Sequence, residues 1–496
     1  MLVNILYDFK FILGNDMFTK SLLTLAVVGL FSANASASVD LIAIGTLVGT
    51  TDLSGLTDPL ENGLAGNVLG GLGSGYAWAG GNTFLAAPDR GPNATPYNSA
   101  VDDTSSYIAR FQTINLNLTA NTSGSGFAFN LTPTLTATTL LSSATPLNYG
   151  TGAGLGNKID GVTPIGSGAP SINTSTSNYF TGRSDNYAAG LSTNPNNARL
   201  DPEGIRVSND GKSVFVSDEY GPYVYQFDRA TGERIKSFVL PTNLAITNLS
   251  PNSATEISGN TVGRIANKGM EGLAISPDGT TLIGIMQAPL EQDASKQLRI
   301  VTIDIATGAT KEFGYRLTTG SGVSEIVALN NHQFIVDERD GKGLGDGSSA
   351  VAKSLFQIDI AGATDISGVA SMTASTPAVS KVLFKDLVGL FAANGISATQ
   401  VPSKIEGLAF GDDVVIGGVT KHTLFVTNDN DFVPNTSGPN KIFVLSFSDS
   451  DLATGYSYTP QAIAAVPEPE SYAMMLAGLG LIGFVARRKT AKFSKA

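Results

Sequence analysis

Carboxylates recur at both ends of a repeated hairpin pattern along this chain. The clearest copy begins at Glu203-Gly204, turns at residues 209–211 (Asn-Asp-Gly) and ends at Asp218-Glu219. An Asp-Gly turn between strands of alternating apolar residues is a strong signal for a β-hairpin. Antiparallel pairing places the start of the first strand and the end of the second at one edge. We therefore expect Glu203 to lie near Asp218 and Glu219.

Three further copies and one degenerate copy place more acids at the same predicted edge. The copies begin at Glu271, Glu325 and Glu406, and the degenerate one ends at Asp89. The copy that begins at Glu271 ends at Met286-Gln287 and lacks a closing acid. If the hairpins share one orientation around an axis, these acids meet on one rim.

A rim of carboxylates without His or Cys offers the oxygen ligands that Ca²⁺ prefers. Each acid could instead fix its own turn through hydrogen bonds to the backbone, which is the alternative for any single position. The recurrence at one edge favours a shared site. The predicted metal ligands are Asp89, Glu203, Asp218, Glu219, Glu325, Asp337, Glu338, Asp429 and Asp431.

Basic residues are interleaved with these acids. Arg339 and Lys342 stand beside Asp337 and Asp340 and could hold an anionic group next to a metal. Pairing with a neighbouring acid is the alternative for each base. The predicted substrate-binding residues are Arg90, Lys268, Arg339, Lys342 and Lys404.

For a hydrolase, these residue types favour metal-activated water, with a carboxylate taking the proton. The predicted catalytic residues are Glu203, Glu271, Glu406 and Arg339. His332 falls in a predicted turn and His422 at the start of a strand, both at the opposite edge from the acids. Catalysis by a Ser-His-acid triad therefore has little support.

Composition excludes several other classes of protein. The 496 residues contain no Cys, which removes disulfides, thiolate nucleophiles and cysteine metal sites. The formal net charge of -11 argues against nucleic acid as a partner. A hydrophobic content of 42% excludes a disordered chain.

The elements that must position the acids are short antiparallel strands. With 56 Gly and only 15% charged residues, the chain suits many tight turns. A second hairpin type follows several of the first, as at residues 225–228 and 301–304, and two hairpins make a four-stranded unit. Such units closed radially form a β-propeller. We predict an all-β propeller of six four-stranded antiparallel blades, of which five are recognisable and the rest comes from residues 119–200 or 39–48.

The N-terminal segment predicts export. Lys20, an apolar run at residues 22–31 and Ala35-Ser36-Ala37 follow in the order of a secretory signal. Residues 1–37 are therefore predicted to be an export signal, with Met1 or Met17 as the start. Residues 38–465 are predicted to form the propeller, with an insertion rich in Ser, Thr, Asn and Gly at about 119–200.

Residues 466–496 resemble the PEP-CTERM sorting signal of Gram-negative bacteria. Pro467-Glu468-Pro469 precedes an apolar run at residues 472–486 and a basic cluster at 487–489. The run is shorter than the ~20 residues that a full membrane span needs. The resemblance implies processing by a membrane exosortase and a transient inner-membrane tether through residues 472–486. It also implies a final place at the cell surface or outside the cell.

The hairpin motifs resemble the phytase-like family described as "esterase-like activity of phytase". The matching stretches are 201–228, 267–290, 323–341 and 404–432, and Gly91-Pro92 is similar to part of the family's opening segment. The resemblance implies a β-propeller hydrolase of phosphoesters or carboxylic esters, calcium-dependent by analogy with alkaline propeller phytases. By position it points to Glu203, Asp218, Glu219, Glu271, Glu325, Glu338, Arg339, Glu406, Asp429 and Asp431.

Two functions from different classes are compatible with these features. The leading hypothesis is an exported phytase-like hydrolase that binds Ca²⁺ and acts on a small anionic or ester substrate near the cell surface. The alternative is a non-catalytic surface propeller that binds polysaccharide or extracellular matrix. The sorting signal and the Ser/Thr/Asn/Gly-rich insertion are consistent with this alternative.

Overall fold

In the computed structural model, which describes residues 39–464, the chain forms five four-stranded antiparallel sheets. The first strand is β1 (Asp40–Leu47). Blade 1 follows with β2 (Gly75–Trp78), β3 (Thr83–Ala87), β4 (Arg110–Ala120) and β5 (Phe129–Leu140). Two short strands, β6 (Ser142–Ser143) and β7 (Asn178–Tyr179), pair with each other.

The other blades follow in chain order. Blade 2 has β8 (Pro202–Val207), β9 (Ser213–Asp218), β10 (Tyr223–Asp228) and β11 (Arg234–Val239). Blade 3 has β12 (Met270–Ile275), β13 (Thr281–Met286), β14 (Gln297–Asp304) and β15 (Thr310–Arg316). Blade 4 has β16 (Gly322–Ala328), β17 (Gln333–Arg339), β18 (Lys353–Asp359) and β19 (Lys381–Asp386). Blade 5 has β20 (Lys404–Ile416), β21 (Val419–Asp429) and β22 (Asn440–Phe447), joined by β1.

The first strand of each of the five blades lies nearest the axis of the ring. β2 contacts β8, β8 contacts β12, β12 contacts β16, β16 contacts β20, and β20 contacts β2, so the ring is closed. β1 pairs with β22 and becomes the outermost strand of blade 5. This arrangement confirms the predicted β-propeller.

The described residues contain five blades, the number recognisable in the sequence, and do not contain a sixth. Both segments considered for another blade belong elsewhere. β1 completes blade 5, and residues 119–140 fall largely in β4 and β5 of blade 1. The two ends of residues 141–200 pack on the apolar cluster between blades 1 and 2, where Leu141, Phe180 and Leu200 are buried.

Local sequence explains the inner hairpins. Gly211 and Gly279 adopt φ angles of 71° and 74° in their turns, a region that glycine enters without steric cost. All six residues of β9 are buried because neighbouring blades cover both of its faces. Val214 and Val216 pack toward blade 1, and Phe215 packs toward blade 3. Fully burying such a side chain stabilises the fold by roughly 1.5–3 kcal/mol.

Helices are few and short in the described part. The α-helices are Ser253–Gly259, Leu387–Ala393 and Pro434–Ser437. Within residues 39–464, helical segments lack the length and apolar character needed to cross a bilayer. The predicted export signal at 1–37 and the predicted tether at 472–486 lie outside the described residues.

Candidate functional site

Bulges aim one side chain of three inner strands toward the same end of the ring. The registers of β8, β12 and β20 with their partner strands shift at Glu203, Glu271 and Glu406. A β-bulge bends the strand and redirects the side chain at the extra residue. In β16 the corresponding shift falls at Ser324. These four residues therefore occupy equivalent positions in four blades.

The ends of the second strands supply a second set of equivalent positions, occupied by Asp89, Glu219, Gln287, Arg339 and Asp429. Within a blade the two sets meet. The Gln287 Nε2 atom donates a hydrogen bond of 2.8 Å to Glu271 Oε1. In blade 4 the Arg339 Nε atom donates to Ser324 Oγ.

We call the resulting group the acidic cup. Its carboxyl groups belong to Asp89, Asp201, Glu203, Glu219, Glu271, Glu406, Asp429 and Asp431, and its cations to Arg90, Arg339 and Lys404.

The cup contains two groups of three carboxylates. One consists of Asp89, Asp429 and Asp431, and the other of Asp201, Glu203 and Glu219. In each group, one oxygen from every residue lies within 4.8 Å of the others. That spacing allows three oxygens to share one cation, and carboxylate oxygens are the ligands of hard cations such as Ca²⁺.

The three cations of the cup are already engaged by acids. The Lys404 Nζ atom lies 2.8 Å from Asp429 Oδ2 and also donates to Asp431. The Arg90 Nη1 atom lies 2.8 Å from Asp201 Oδ2. Arg339 Nη2 donates to Glu406 Oε1. Because the cup has eight carboxyl groups and three cations, ionisation of every acid would leave a large excess of negative charge.

Burial and neighbouring negative charges raise the pKa values of the acids in blades 2 and 3. Burial raises the pKa of Glu203 well above its usual value, and the charges of Glu271 and Asp201 raise it further. Burial raises the pKa of Glu219 to about 7. Burial also raises the pKa of Glu271, which is hydrogen-bonded to Glu219, so these two carboxyls can share a proton.

The acids of blades 1 and 5 differ in how well they are compensated. Burial and the Asp429 charge raise the pKa of Asp89 well above its usual value. Burial opposes ionisation of Asp429, but the Lys404 charge and hydrogen bond outweigh it and hold the Asp429 pKa below its usual value. Asp429 is therefore the better compensated of these two carboxyls.

The part of the chain that forms the cup matches a known protein family. The profile of the family described as "Phytase-like: Esterase-like activity of phytase" matches residues 67–432, well over half of the chain. The chain belongs to this phytase-like family. All eight cup acids and its three cations lie within the matched residues of the phytase-like propeller. A second profile, the PEP-CTERM protein-sorting motif, matches residues 465–489.

Known proteins similar to this phytase-like chain include an "Uncharacterized secreted protein" of Arthroderma benhamiae. The two are 25% identical over 302 residues, which cover 51% of this chain and 58% of that protein. The chain thus matches less than two thirds of its relative's length. The sorting motif at residues 465–489 is consistent with the predicted export of this chain.

Solved structures with similar folds include hydrazine synthase of Kuenenia stuttgartiensis, with 12% identity, coverage of 74% of this chain and 79% of that chain, and a TM-score of 0.30. Another is the periplasmic gluconolactonase of Pseudomonas aeruginosa, with 11% identity, coverage of 82% and 96%, and a TM-score of 0.31. These TM-scores are low, so neither structure supports an activity for the phytase-like chain.

Four of the predicted metal ligands lie outside the cup. Glu325 occupies the position that Gly204, Gly272 and Gly407 hold in other blades, one residue beyond the bulge. Its carboxylate therefore points away from the rim and pairs with Arg206 at 3.0 Å. Glu325 matches Glu203 in the sequence pattern, which does not show where the bulge falls.

Glu338 and Asp218 are equivalent by register and face the preceding blade. Glu338 accepts hydrogen bonds from the Tyr315 hydroxyl at 2.7 Å and from Lys381. Asp218 Oδ1 accepts from the amide of Asp201 at 3.1 Å, and burial raises the Asp218 pKa to about 7. Both carboxyls thus act as internal acceptors next to the cup.

Asp337 lies between Glu325 and Leu355 in the sheet of blade 4. Its side chain is buried, and neither carboxyl oxygen has a hydrogen-bond partner among residues 39–464. Burial raises the pKa of Asp337 to about 8. Burial without a hydrogen-bond partner favours the neutral carboxyl, and the charges of Arg339 and Lys353 oppose this effect.

The remaining predicted residues lie at the rim or at the far end. Lys268 and Lys342 are exposed on loops at the cup end, and Gly269, next to Lys268, donates its amide to Glu219 Oε1 at 2.9 Å. His332 and His422 pair with Asp359 and Asp413 at the opposite end.

Sequence reasoning missed Asp201 and Arg206. Asp201 joins Glu203 and Glu219 in the second carboxylate group and holds Arg90 through two hydrogen bonds of 2.8 Å. The signal for Arg206 was available in the inner strands. Arg206 stands where the equivalent strands carry Ala77, Ala274 and Val327, so its charge needs a partner on the axis.

The opposite mouth of the ring holds a cavity of about 300 Å³ lined by residues from all five inner strands. The segment 457–464 crosses this mouth, and we call it the strap. The Thr459 amide donates to the Leu329 carbonyl at 2.7 Å in blade 4. The Ala464 amide donates to the Asn209 carbonyl at 2.8 Å in blade 2.

Proposed function

We propose that the protein is an exported phytase-like hydrolase of phosphate or carboxylic esters and that the acidic cup is its active site. The observation that carries this proposal is the pair of three-carboxylate groups beside Arg339 and Lys404. The family description supports ester hydrolysis as the reaction class. A propeller alone would not, because propellers support unrelated functions.

The residues of the cup fit a divalent cation such as Ca²⁺. The donor set consists of carboxylate oxygens. Burial first, and crowded negative charge second, raise the pKa values of Glu203 and Asp89, and a cation would relieve the crowding. Ca²⁺, when bound, supplies positive charge that polarises the ester and favours ionisation of water. Asp89, Asp429 and Asp431 would hold one ion, and Asp201, Glu203 and Glu219 a second.

The chain's own cations would orient the substrate. Arg339 projects toward both Glu406 and Glu271, with its Nη2 atom 3.7 Å from Glu271 Oε1. A guanidinium suits bidentate binding of a phosphate or carboxylate group. Arg90 and Lys404 flank the cup, and the exposed Lys268 and Lys342 would attract an anionic substrate to the rim.

The acids differ in pKa and in hydrogen bonding, so they can take different roles in proton transfer. Burial raises the pKa of Glu271, which shares a hydrogen bond with Glu219, so Glu271 suits the role of proton donor to a leaving oxygen. Glu406 is held by Arg339, so its carboxylate is fixed in direction. Glu203, buried near the carboxyls of Asp201 and Glu271, would accept the proton of the attacking water.

A substrate panel tests this proposal. The purified protein is assayed on phosphate monoesters and carboxylic esters in the presence of Ca²⁺ or of a chelator. We expect turnover that requires Ca²⁺ and falls at least tenfold in Glu203→Gln, whereas Asp160→Asn, on an exposed loop, serves as the matched control. Absence of turnover on every ester would favour the alternative, a non-catalytic propeller at the cell surface.

A further inference from the structure

A second cavity lies outside the cup, between the segment that precedes blade 1 and residues 158–172. Its volume is about 410 Å³, within the roughly 300–1,000 Å³ typical of small-molecule sites. None of the cup residues lines it. Hydroxyl groups of Thr57, Ser106, Ser167 and Ser171 alternate on its wall with prolines and aliphatic side chains.

A fully buried arginine lines this side cavity with an unused donor. Arg110 is 0% exposed, and its Nη1 atom donates to Asp52 Oδ2 at 2.5 Å. Its Nε atom donates to the Ile108 carbonyl at 2.7 Å, and its guanidinium stacks 3.9 Å from the centroid of Tyr107. The Nη2 atom has no hydrogen-bond partner in the described part of the chain. An unpaired buried donor is costly, so an acceptor from a ligand would stabilise it.

Most charges around the side cavity are compensated within the protein. Arg110 pairs with Asp52, and Glu61 accepts from Ser106 Oγ at 2.6 Å and lies 3.2 Å from Arg183. Asp58 and Lys158 also line the cavity, and neither side chain forms a hydrogen bond with residues 39–464, so they add one acceptor and one donor. The wall therefore offers donors and acceptors in balance and has no excess of either charge.

We propose that the side cavity binds an uncharged sugar residue of a polysaccharide. A sugar combines hydroxyl donors and acceptors, which match Arg110, Asp58 and Lys158, with an apolar ring face that packs on proline and aliphatic side chains. The balanced charge disfavours a uronate or sulfate. This binding is independent of the acidic cup and adds a carbohydrate attachment site to the proposed hydrolase.

Calorimetric titration tests the proposal with neutral fragments of glucan, mannan and galactan and with fragments of polygalacturonate. We expect at least one neutral fragment to bind. Ala169→Trp fills the cavity from an exposed position on its wall and should weaken that binding at least tenfold. Ala306→Trp, in an exposed turn of blade 3, is the matched control and should leave binding unchanged.

A variant with Glu203→Gln and Asp429→Asn should keep the same sugar affinity while ester turnover falls, which separates this site from the cup. Equal thermal unfolding of Ala169→Trp and the natural protein establishes that the variant folds. Binding of polygalacturonate fragments alone, affinity unaffected by Ala169→Trp, or no binding by any neutral fragment would each overturn the proposal.

Discussion

Arg206 of blade 2 and Glu325 of blade 4 meet across the axis of the ring, with Nη2 3.0 Å from Oε2. Arg206 also donates to the Tyr76 carbonyl in blade 1, and Glu325 Oε1 accepts from the Leu273 amide at 3.0 Å in blade 3. One buried ion pair thus joins four of the five blades. It occupies the axis between the acidic cup and the cavity under the strap.

Removal of one partner of this pair should destabilise the ring. Glu325→Gln leaves the Arg206 charge buried without a counterion, which typically costs about 3–5 kcal/mol. We expect the free energy of unfolding, measured with urea, to fall by that amount. The double variant Arg206→Met with Glu325→Met should lose less stability than the sum of the losses measured for Arg206→Met alone and Glu325→Met alone. Strict additivity of the single variants would show that the pair is not coupled.

Ca²⁺ should raise the melting temperature through the cup. A cation that binds only the folded state at a concentration 100 times its Kd stabilises it by about 2.7 kcal/mol. Glu203→Gln with Asp429→Asn removes one ligand from each carboxylate group and should abolish most of the Ca²⁺-induced shift in a thermal scan. Asp160→Asn should retain the full shift. An unchanged shift in the double variant would count against cation binding in the cup.

Stability should depend on pH through Asp337. Its pKa is about 8 in the folded protein and 3.8 as an ordinary value, so folding takes up a proton between these limits. The free energy of unfolding therefore falls as pH rises through this window. Asp337→Asn lacks this contribution and should gain stability relative to the natural protein at pH 8, by roughly 1.4 kcal/mol for each unit of the shift. Parallel pH profiles of the two proteins would exclude this role.

The exposed rim lysines should affect anionic substrates alone. Lys268→Ala and Lys342→Ala are each expected to raise KM for a phosphate monoester about threefold, the effect of losing one solvent-screened charge. kcat, and KM for a neutral carboxylic ester, should stay constant. Lys311→Ala, exposed on the outer strand of blade 3, is the control. Equal effects on both ester classes would show that the lysines affect folding or the access of any substrate to the cup.

The fold could be predicted because each turn is determined by the few residues that form it. Asp-Gly turns marked the inner hairpins of blades 2 and 3, and alternating apolar residues marked the strands of the others. Each turn glycine needs only its own backbone angles. The blade count depends on long-range pairing, which local patterns do not contain. In the sequence, β1 looks like an independent strand. It pairs with β22, about 400 residues away, because the other three strands of blade 5 leave the outer position of that sheet open.

The meeting of the acids could be predicted where they occupy equivalent ends of hairpins, as Glu203 and Glu406 do. The direction of a side chain could not be predicted where one residue of register decides it. Glu325 follows the bulge position and so faces the axis, whereas Glu271 occupies that position and faces the cup. A bulge depends on pairing with the partner strand and leaves no fixed mark in composition.

The strap ends at Ala464, bonded to blade 2 on the side of the ring opposite the acids, and the sorting motif begins at residue 465. An attachment made through that motif would join the ring at the mouth opposite the acids. The charged end of the ring would then stay open to diffusing molecules. Cleavage inside the motif would release the ring with its lower mouth still covered.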